Sequence, residues 1–280
     1  MIQMGKSVSS NWIKGLSYLI LFSGLWIMIL PFLWMISSSF KTLEQVNEIP
    51  IRWIPTEFHF ENYLEVFRVI PMAKFMGNTV FVSFIVTVVT LMICAMAAYA
   101  FARLEFRGRD ALFFCYLATM MVPDQVTMIP NFIMMKYFGW IDSYYALTIP
   151  KFFSAFGVFM LRQFFLTIPR ELEEAATIDG CSRARTFWSV VLPLAKPALV
   201  TLGIFTFLGE WNSFLWPLIV TNNVDLQTIQ VGLRTFQGEF GTQWNLLMAG
   251  TVIAELPIIA LYIFAQKYII AGIATSGIKG

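Results

Sequence analysis

Charge is scarce in this chain. Asp, Glu, Lys and Arg make up 13% of its 280 residues, about half of the quarter that soluble domains carry. Long uncharged runs separate what charge there is, which argues against an ordinary soluble enzyme and for the membrane class. Histidine is nearly missing. His59 is the single one, so multi-histidine metal sites are excluded and a histidine-based triad has one candidate. Cys94, Cys115 and Cys181 stand too far apart for a metal-ligand spacing, and each reads as a small buried hydrophobe. The net charge of +2 comes without a dense basic patch, so nothing points to nucleic acid. A phosphate cradle is lacking too. The C-terminal GIATSGIKG spaces Gly272 and Gly277 like a P-loop, but Ile278 stands where the lysine belongs. Such a cradle needs glycines, lysine and a helix N-terminus together.

What the chain does have is apolar length. A helix crossing a bilayer needs about 20 mostly apolar residues. Residues 15–40 run uncharged between Lys14 and Lys41, and residues 75–102 between Lys74 and Arg103. The first run is too long for a signal-peptide core and reads as a retained helix. Four further runs follow. One is 111–132, interrupted at Pro123-Asp124. The next is 143–166, with Lys151 near its start. The last two are 198–220, carrying Glu210, and 246–266, carrying Glu255. The expected fold is all-α, a polytopic membrane protein with six transmembrane helices.

Loop charge sets an orientation. With the N-terminus inside, cytoplasmic segments hold twelve Lys and Arg residues and outer segments six, so the positive-inside bias places both termini in the cytoplasm. The short loop RLEFRGRD (103–110) is the strongest single vote. The organisation expected is a cytoplasmic N-terminus (1–14), a first helix (15–40), an extracytoplasmic loop (41–74), a membrane core (75–267) and a cytoplasmic tail (268–280). Within the core lies a long cytoplasmic loop, 167–196.

That loop contains an unusual phrase, LEEAATIDG (172–180). Pro169 suits the first turn of a helix, and Glu171, Glu173 and Glu174 suit its positive end. Leu172, Ala175, Ala176 and Asp179 share a face by helical spacing, and Gly180 is a C-terminal stop. A second helix, about 182–191, should follow and end before Leu192-Pro193. Two alanines on one face would let another surface approach the backbone, as a docking peg. A solvated loop helix fits the same composition.

The stretch EAATIDGCSRARTFWSVVLP (174–193) resembles the EAA loop of ABC importer permeases. Glu174-Ala175-Ala176, Gly180 and Val190-Val191-Leu192-Pro193 follow its spacing. MIPNFIMMKYFGWIDSYYALTIP (128–150), GEWNSFLWPLIV (209–220) and FAQKYIIAGIATSGIKG (264–280) are similar to the MalG-like partner of the carbohydrate-uptake branch, as is WIPTEFHFENYLEVF (53–67). The resemblance implies the type I ABC importer permease fold. It implies a second, MalF-like permease subunit, a dimer of cytoplasmic ABC ATPases and an extracytoplasmic sugar-binding protein, assembled in a prokaryotic cytoplasmic membrane. ATP and Mg would sit on the partner ATPase, and this chain would bind no cofactor and catalyse nothing itself. Glu174, Ala175, Ala176, Asp179, Gly180, Leu192 and Pro193 would form the ATPase-coupling joint, and Gly272, Gly277 and Lys279 a second contact in the tail.

Glu210 and Glu255 are intramembrane acids, which normally face a cavity or a partner. Glu210, Trp211, Asn212 and Trp216 could line a sugar path, since aromatic faces with amide and carboxylate groups suit polyhydroxyl ligands. They could instead bond to neighbouring helices. Glu255, two residues before Pro257, could satisfy carbonyls freed by the proline. As proton carriers, the two acids would mark an ion-coupled secondary transporter, although no paired repeat of broken helices is evident. A permease for another small solute fits the EAA pattern equally, and an intramembrane enzyme lacks material for a nucleophile and base. Cys94, Ala98 and Ala102 form a small-xxx-small row for close helix packing. In the outer loop, Arg52, Trp53, Phe58, Phe60 and Tyr63 suit either a binding-protein contact or an aromatic anchor at the interface.

Overall fold

The computed structural model describes the backbone of residues 5–238 and 241–277 and the side chains of residues 14–238 and 241–266. In chain order the helices are α1 (Gly5–Ser39), α2 (Leu43–Asn47), α3 (Glu61–Val69), α4 (Met72–Arg103), α5 (Arg109–Ala118), α6 (Asp124–Tyr137), α7 (Tyr144–Thr148) and α8 (Ala155–Thr167). There follow α9 (Glu171–Ile178), α10 (Arg183–Thr186), a π-helical turn Phe187–Val191, α11 (Leu192–Leu194), α12 (Lys196–Trp211), α13 (Leu215–Val220), α14 (Ile229–Leu233) and α15 (Trp244–Gly277). One two-residue antiparallel pair, β1 (Gln237–Gly238) with β2 (Gly241–Thr242), is the only strand structure among the described residues.

Among the described residues, three helices are long and apolar enough to cross a membrane, and up to six spans result if each bent pair counts as one. Bends lie where the sequence carries its breakers. At Pro123 the third span turns by 96° between residues 109–121 and 124–137, because proline cannot donate its missing N–H and disfavours helix in the residue before it. The fourth span bends by 43° across residues 152–154, where Ser154 caps the second half by accepting from the Gly157 N–H. The fifth expected run, 198–220, is likewise two pieces, α12 and α13, separated at residues 212–214.

Two compact units divide the chain, meeting at Ile70/Pro71, Gly232/Leu233 and Glu255/Leu256. The first holds α1 to α3, the β-pair and the start of α15. In the span of α1, none of the apolar window is buried in the protein, as suits a helix whose solvent is lipid. The segment after it is folded. Asn62 Nδ2 donates to the carbonyls of Ser39 (2.9 Å) and Lys41 (2.8 Å), and Asn245 Nδ2 donates to Asn62 Oδ1 at 3.1 Å. The Phe40 ring meets Phe58, Phe60 and Tyr63 at 5.1–5.8 Å. Lys41 is 1% exposed, with its ammonium over the Trp34 ring at 4.1 Å, and desolvation holds its pKa below the ordinary lysine value. Trp53 packs edge-on against Trp34, and Arg52 pairs with Glu48 at 3.0 Å.

The second unit is built around α4, against which α8 and α12 pack. Cys94, Ala98 and Ala102 are all fully buried, so the small-residue row is a packing surface. It is complemented by Gly157 on α8, where a Cβ would lie 2.8 Å from Cys94 Sγ and 3.1 Å from Leu202. Helix backbones can approach this closely only when both sides are small. Cys94 is thus a buried hydrophobe, but Cys115 is exposed and Cys181 half-buried. Cys115 departs from expectation because an apolar residue on a spanning helix can face lipid as readily as core.

At the other end of α4, Asn78 Nδ2 donates to the carbonyls of Asp225 and Gln227, both at 2.9 Å, and its Oδ1 accepts from Tyr144. Thr79 Oγ1 accepts from the Ile229 N–H at 2.8 Å, and Lys74 pairs with Asp225 at 2.6 Å. The turn 221–223 is held separately. Asp142, at φ +56°, accepts from the backbone N–H groups of Asn222 and Asn223.

Candidate functional site: a polar cavity and an exposed loop helix

Two places in the second unit carry polar chemistry. The first is a cavity of about 390 Å³ among α4, α6, α8 and α12. Asp124 reaches it from the first turn of α6 and Glu210 from the last turn of α12, while Lys151 and Ser154 come from the break before α8. Thr127, Asn131 and Thr206 add hydroxyl and amide groups. The helix breaks explain the placement. A broken span brings its end residues to mid-depth, and irregular backbone is tolerated in a membrane where it lines a cavity.

Of the four residues read as a possible solute path, two line this cavity. Glu210 does, and so does Trp216, whose Nε1 donates to the Ala146 carbonyl at 2.9 Å. Trp211 does not line it. It is 1% exposed and stacks on Phe207 at 5.7 Å. Asn212 also lies elsewhere, its Nδ2 donating to the Leu208 carbonyl and its Oδ1 accepting from Gln230. Trp211, still on α12, is turned about 100° from Glu210 by the helix itself, and Asn212 follows at the C-cap. Asp124 and Lys151, noted in the sequence only as interruptions of apolar runs, are cavity residues. Their signal was charge inside a membrane-length run. Glu255 is half-buried in α15 and makes no hydrogen bond or ion pair among the described residues.

The second place is α9. It begins at Glu171, two residues after Pro169, with Arg170 as its N-cap residue. Its end is a Schellman motif. The Gly180 N–H donates to the Thr177 carbonyl at 3.0 Å, the Cys181 N–H to Ala176 at 2.9 Å, and Gly180 sits at φ +82°. A left-handed residue is needed there, and glycine adopts it without a Cβ penalty.

The face that the helical spacing groups is divided by burial. Leu172, Ala175 and Asp179 are exposed, whereas Ala176 is buried together with the side chain of Glu173. At 100° per residue the buried side lies roughly a quarter turn from the centre of that face. On the buried side Glu173 Oε1 lies 2.7 Å from Arg103 Nε. Glu174 and Ile178 point outward, Ile178 at 87% exposure. Beside α9 lies a groove of about 440 Å³ that Arg103, Arg170, Glu173, Glu174, Ile178 and Arg183 help to line.

The following helix does not stop before Leu192-Pro193. It runs through the π-helical turn to Leu194 before the chain bends by 77° into α12. In that turn the Leu192 N–H reaches back to the Phe187 carbonyl. The widened spacing lets the helix pass Pro193, which has no N–H to give. Leu192 packs against the core beside α4, and Pro193 opens α11. Gly272 and Gly277 lie on α15 itself, since the helix continues to Gly277. The side chains of this stretch, and Lys279 altogether, are outside the described residues.

The sequence model of the family described as "binding-protein-dependent transport system inner membrane component" matches residues 91–275. The arabinooligosaccharides transport system permease protein AraQ of Halalkalibacterium halodurans is 34% identical over 257 residues, covering 91% of this chain and 92% of its own. The sulfoquinovosyl glycerol transport system permease protein SmoH of Agrobacterium fabrum is 34% identical over 252 residues, covering 89% and 88%. Among solved structures, a chain of a bacterial ABC transporter involved in import of the acidic polysaccharide alginate superposes with a TM-score of 0.82 at 25% identity, covering 93% of this chain and 98% of that one.

Proposed function

Because the chain belongs to the binding-protein-dependent transport system inner membrane components, as a permease of the ABC importer type, we propose that it forms one half of a carbohydrate path and is driven from α9. The cavity carries this reading. A space of about 390 Å³ lined by Asp124, Lys151, Glu210 and several hydroxyl and amide groups is costly in a lipid-embedded unit unless something polar passes through it. Carbohydrate is favoured over other cargo because AraQ, SmoH and the alginate transporter are all named for carbohydrate or glycoside cargo.

In this reading a second permease subunit completes the path. An extracytoplasmic binding protein delivers the solute, and a pair of cytoplasmic ATPases, holding ATP and Mg, supplies the work. Glu174, Ala175, Ile178 and Asp179 form the outward surface of α9 that one ATPase grips, which places α9 and both termini in the cytoplasm. Closure of the ATPases then moves α9 and reorients the spans, a rigid-body transition driven by differential contacts in two states.

The test is reconstitution of the chain with its companion subunits in vesicles. Ala175→Arg and Ile178→Asp change exposed positions and leave the packing of α9 untouched. Both variants should assemble the membrane subunits normally and lose most solute-stimulated ATP hydrolysis and uptake. Normal stimulation in both would remove α9 from the joint. Uptake by the purified chain alone, driven by an ion gradient, would overturn the whole reading.

A further inference from the structure

Under α9, at the edge of its groove, lies a mostly buried cluster of three polar side chains from two helices. Arg103 is the last residue of α4. Its Nη2 donates to the carbonyls of Phe165 (2.6 Å) and Ile168 (2.5 Å), which sit in and just beyond the last turn of α8. The Phe165 carbonyl also accepts from the Ile168 N–H at 3.1 Å, so the guanidinium adds a second donor there and supplies one to the carbonyl at the helix C-cap. The Nε of the same guanidinium lies 2.7 Å from Glu173 Oε1. One turn earlier on α4, the Tyr99 hydroxyl donates to Glu173 Oε2 at 3.1 Å, and the Tyr99 ring lies 5.0 Å from Phe187 in the π-helical turn. One planar group thus ties together α4, the end of α8 and α9, and its neighbour reaches the segment that follows.

The side chains of Arg103 and Glu173 are 5% and 16% exposed, whereas every other ion pair among the described residues has at least one partner more than a third exposed. A buried ion pair contributes little net stability, because desolvation offsets the attraction, and its best-attested value is in fixing one geometry. Adjacent residues divide the work. Glu173 turns in to this cluster, while Glu174 turns out and has no partner among the described residues.

We propose that Arg103, Glu173 and Tyr99 form the rigid root of α9, so that Glu173 is a positioning residue that passes motion of the loop helix to α4 and α8 rather than a contact with the ATPase. This rests on the reading of α9 as the driven element. Without the root, α9 would still be gripped and ATP still hydrolysed, but the spans would follow only loosely.

The measurement is the number of ATP molecules hydrolysed per solute imported by the reconstituted complex. In Glu173→Gln and Arg103→Lys that ratio should rise about fivefold or more, the range of a typical coupling free energy. Hydrogen exchange of the intact complex should quicken over residues 171–178 and stay unchanged over α12. Tyr99→Phe, which removes one hydroxyl, should give a smaller rise and provides the readout if the charged variants do not assemble. A merely structural role would lower hydrolysis and uptake together and leave the ratio at its wild-type value, and that result in the assembled variants overturns the proposal. Failure of the wild-type complex to couple hydrolysis to uptake at all would instead sink the reading of α9.

Discussion

Charge is treated in opposite ways at the two polar places of the second unit. Asp124, Lys151 and Glu210 point into an open cavity and form no direct ion pair with one another. Arg103 and Glu173 close on each other at 2.7 Å with almost no exposed surface. The cavity charges keep room for water or solute, so their hydration can be exchanged for contacts with something that passes. Arg103 and Glu173 also border a groove, of about 440 Å³, but their charges face each other, so they hold parts together. The same residue types therefore stand apart in one place and pair in the other, and the difference is whether an opposite charge lies within contact distance.

Removing the joint should have the largest effect. Arg103→Ala would leave the buried Glu173 carboxylate without its ion-pair partner and the Ile168 carbonyl without its guanidinium donor, a loss of about 3–5 kcal/mol. Detergent-solubilised protein should show it as a much lower midpoint of thermal unfolding. A midpoint within a degree or two of wild type would mean that water enters the joint as freely as the cavity.

Crowding the helix contact beside α4 comes next. Gly157→Val puts a Cβ within 2.8 Å of Cys94 Sγ, an overpacking cost of about 1–3 kcal/mol. Cys94→Ala in the same chain should recover part of it, because the sulfur that the new Cβ meets is gone. Lack of any recovery would place the strain on Leu202 instead.

The cavity should respond in function rather than in stability. Glu210→Gln keeps the shape and removes the charge, so the unfolding midpoint should hold steady or rise. The KM for the imported solute should rise by about tenfold or more, in the range of one charged hydrogen bond. Asn212→Ala, two residues away and turned from the cavity, should leave KM alone. Equal effects of the two changes would erase the contrast between cavity and flank.

The smallest effect belongs to Asp142, outside the spans. Backbone N–H groups, that of Asn223 foremost and then Asn222, hold its carboxyl below the ordinary carboxylate range. A depressed folded value means its contribution is complete above the unfolded carboxylate value and lost as pH falls through the folded one, below about pH 4. Protection of the amides of residues 221–224, taken against their intrinsic exchange rates, should therefore fall at acid pH in the wild type. Asp142→Asn, which tolerates the same positive φ, should flatten that dependence.

Much was legible from residue order alone because membrane length and loop punctuation are local properties. Apolar runs marked five of the up to six candidate spans, the fifth expected run (198–220) being offset from the bent pair 183–211; Pro123 marked the sharpest bend, and Gly180 marked the end of α9. Long local patterns suffice when the solvent is lipid, since each helix must satisfy its own backbone wherever it sits. The direction of a side chain is another matter. Glu210 reaches the cavity while Trp211 beside it is packed away, and Glu173 turns in while Glu174 turns out. Nothing in either pair of adjacent letters distinguishes them.

The sequence by itself determined a helical membrane chain and the place of its polar loop helix, because hydropathy, proline and glycine act over a few residues. Only the tertiary structure decided which face of α9 is seated, which charges share the cavity, and that Arg103 reaches Glu173. Those contacts join residues some sixty to ninety positions apart, and a guanidinium can choose its carboxylate only after α4, α8 and α9 have been brought side by side.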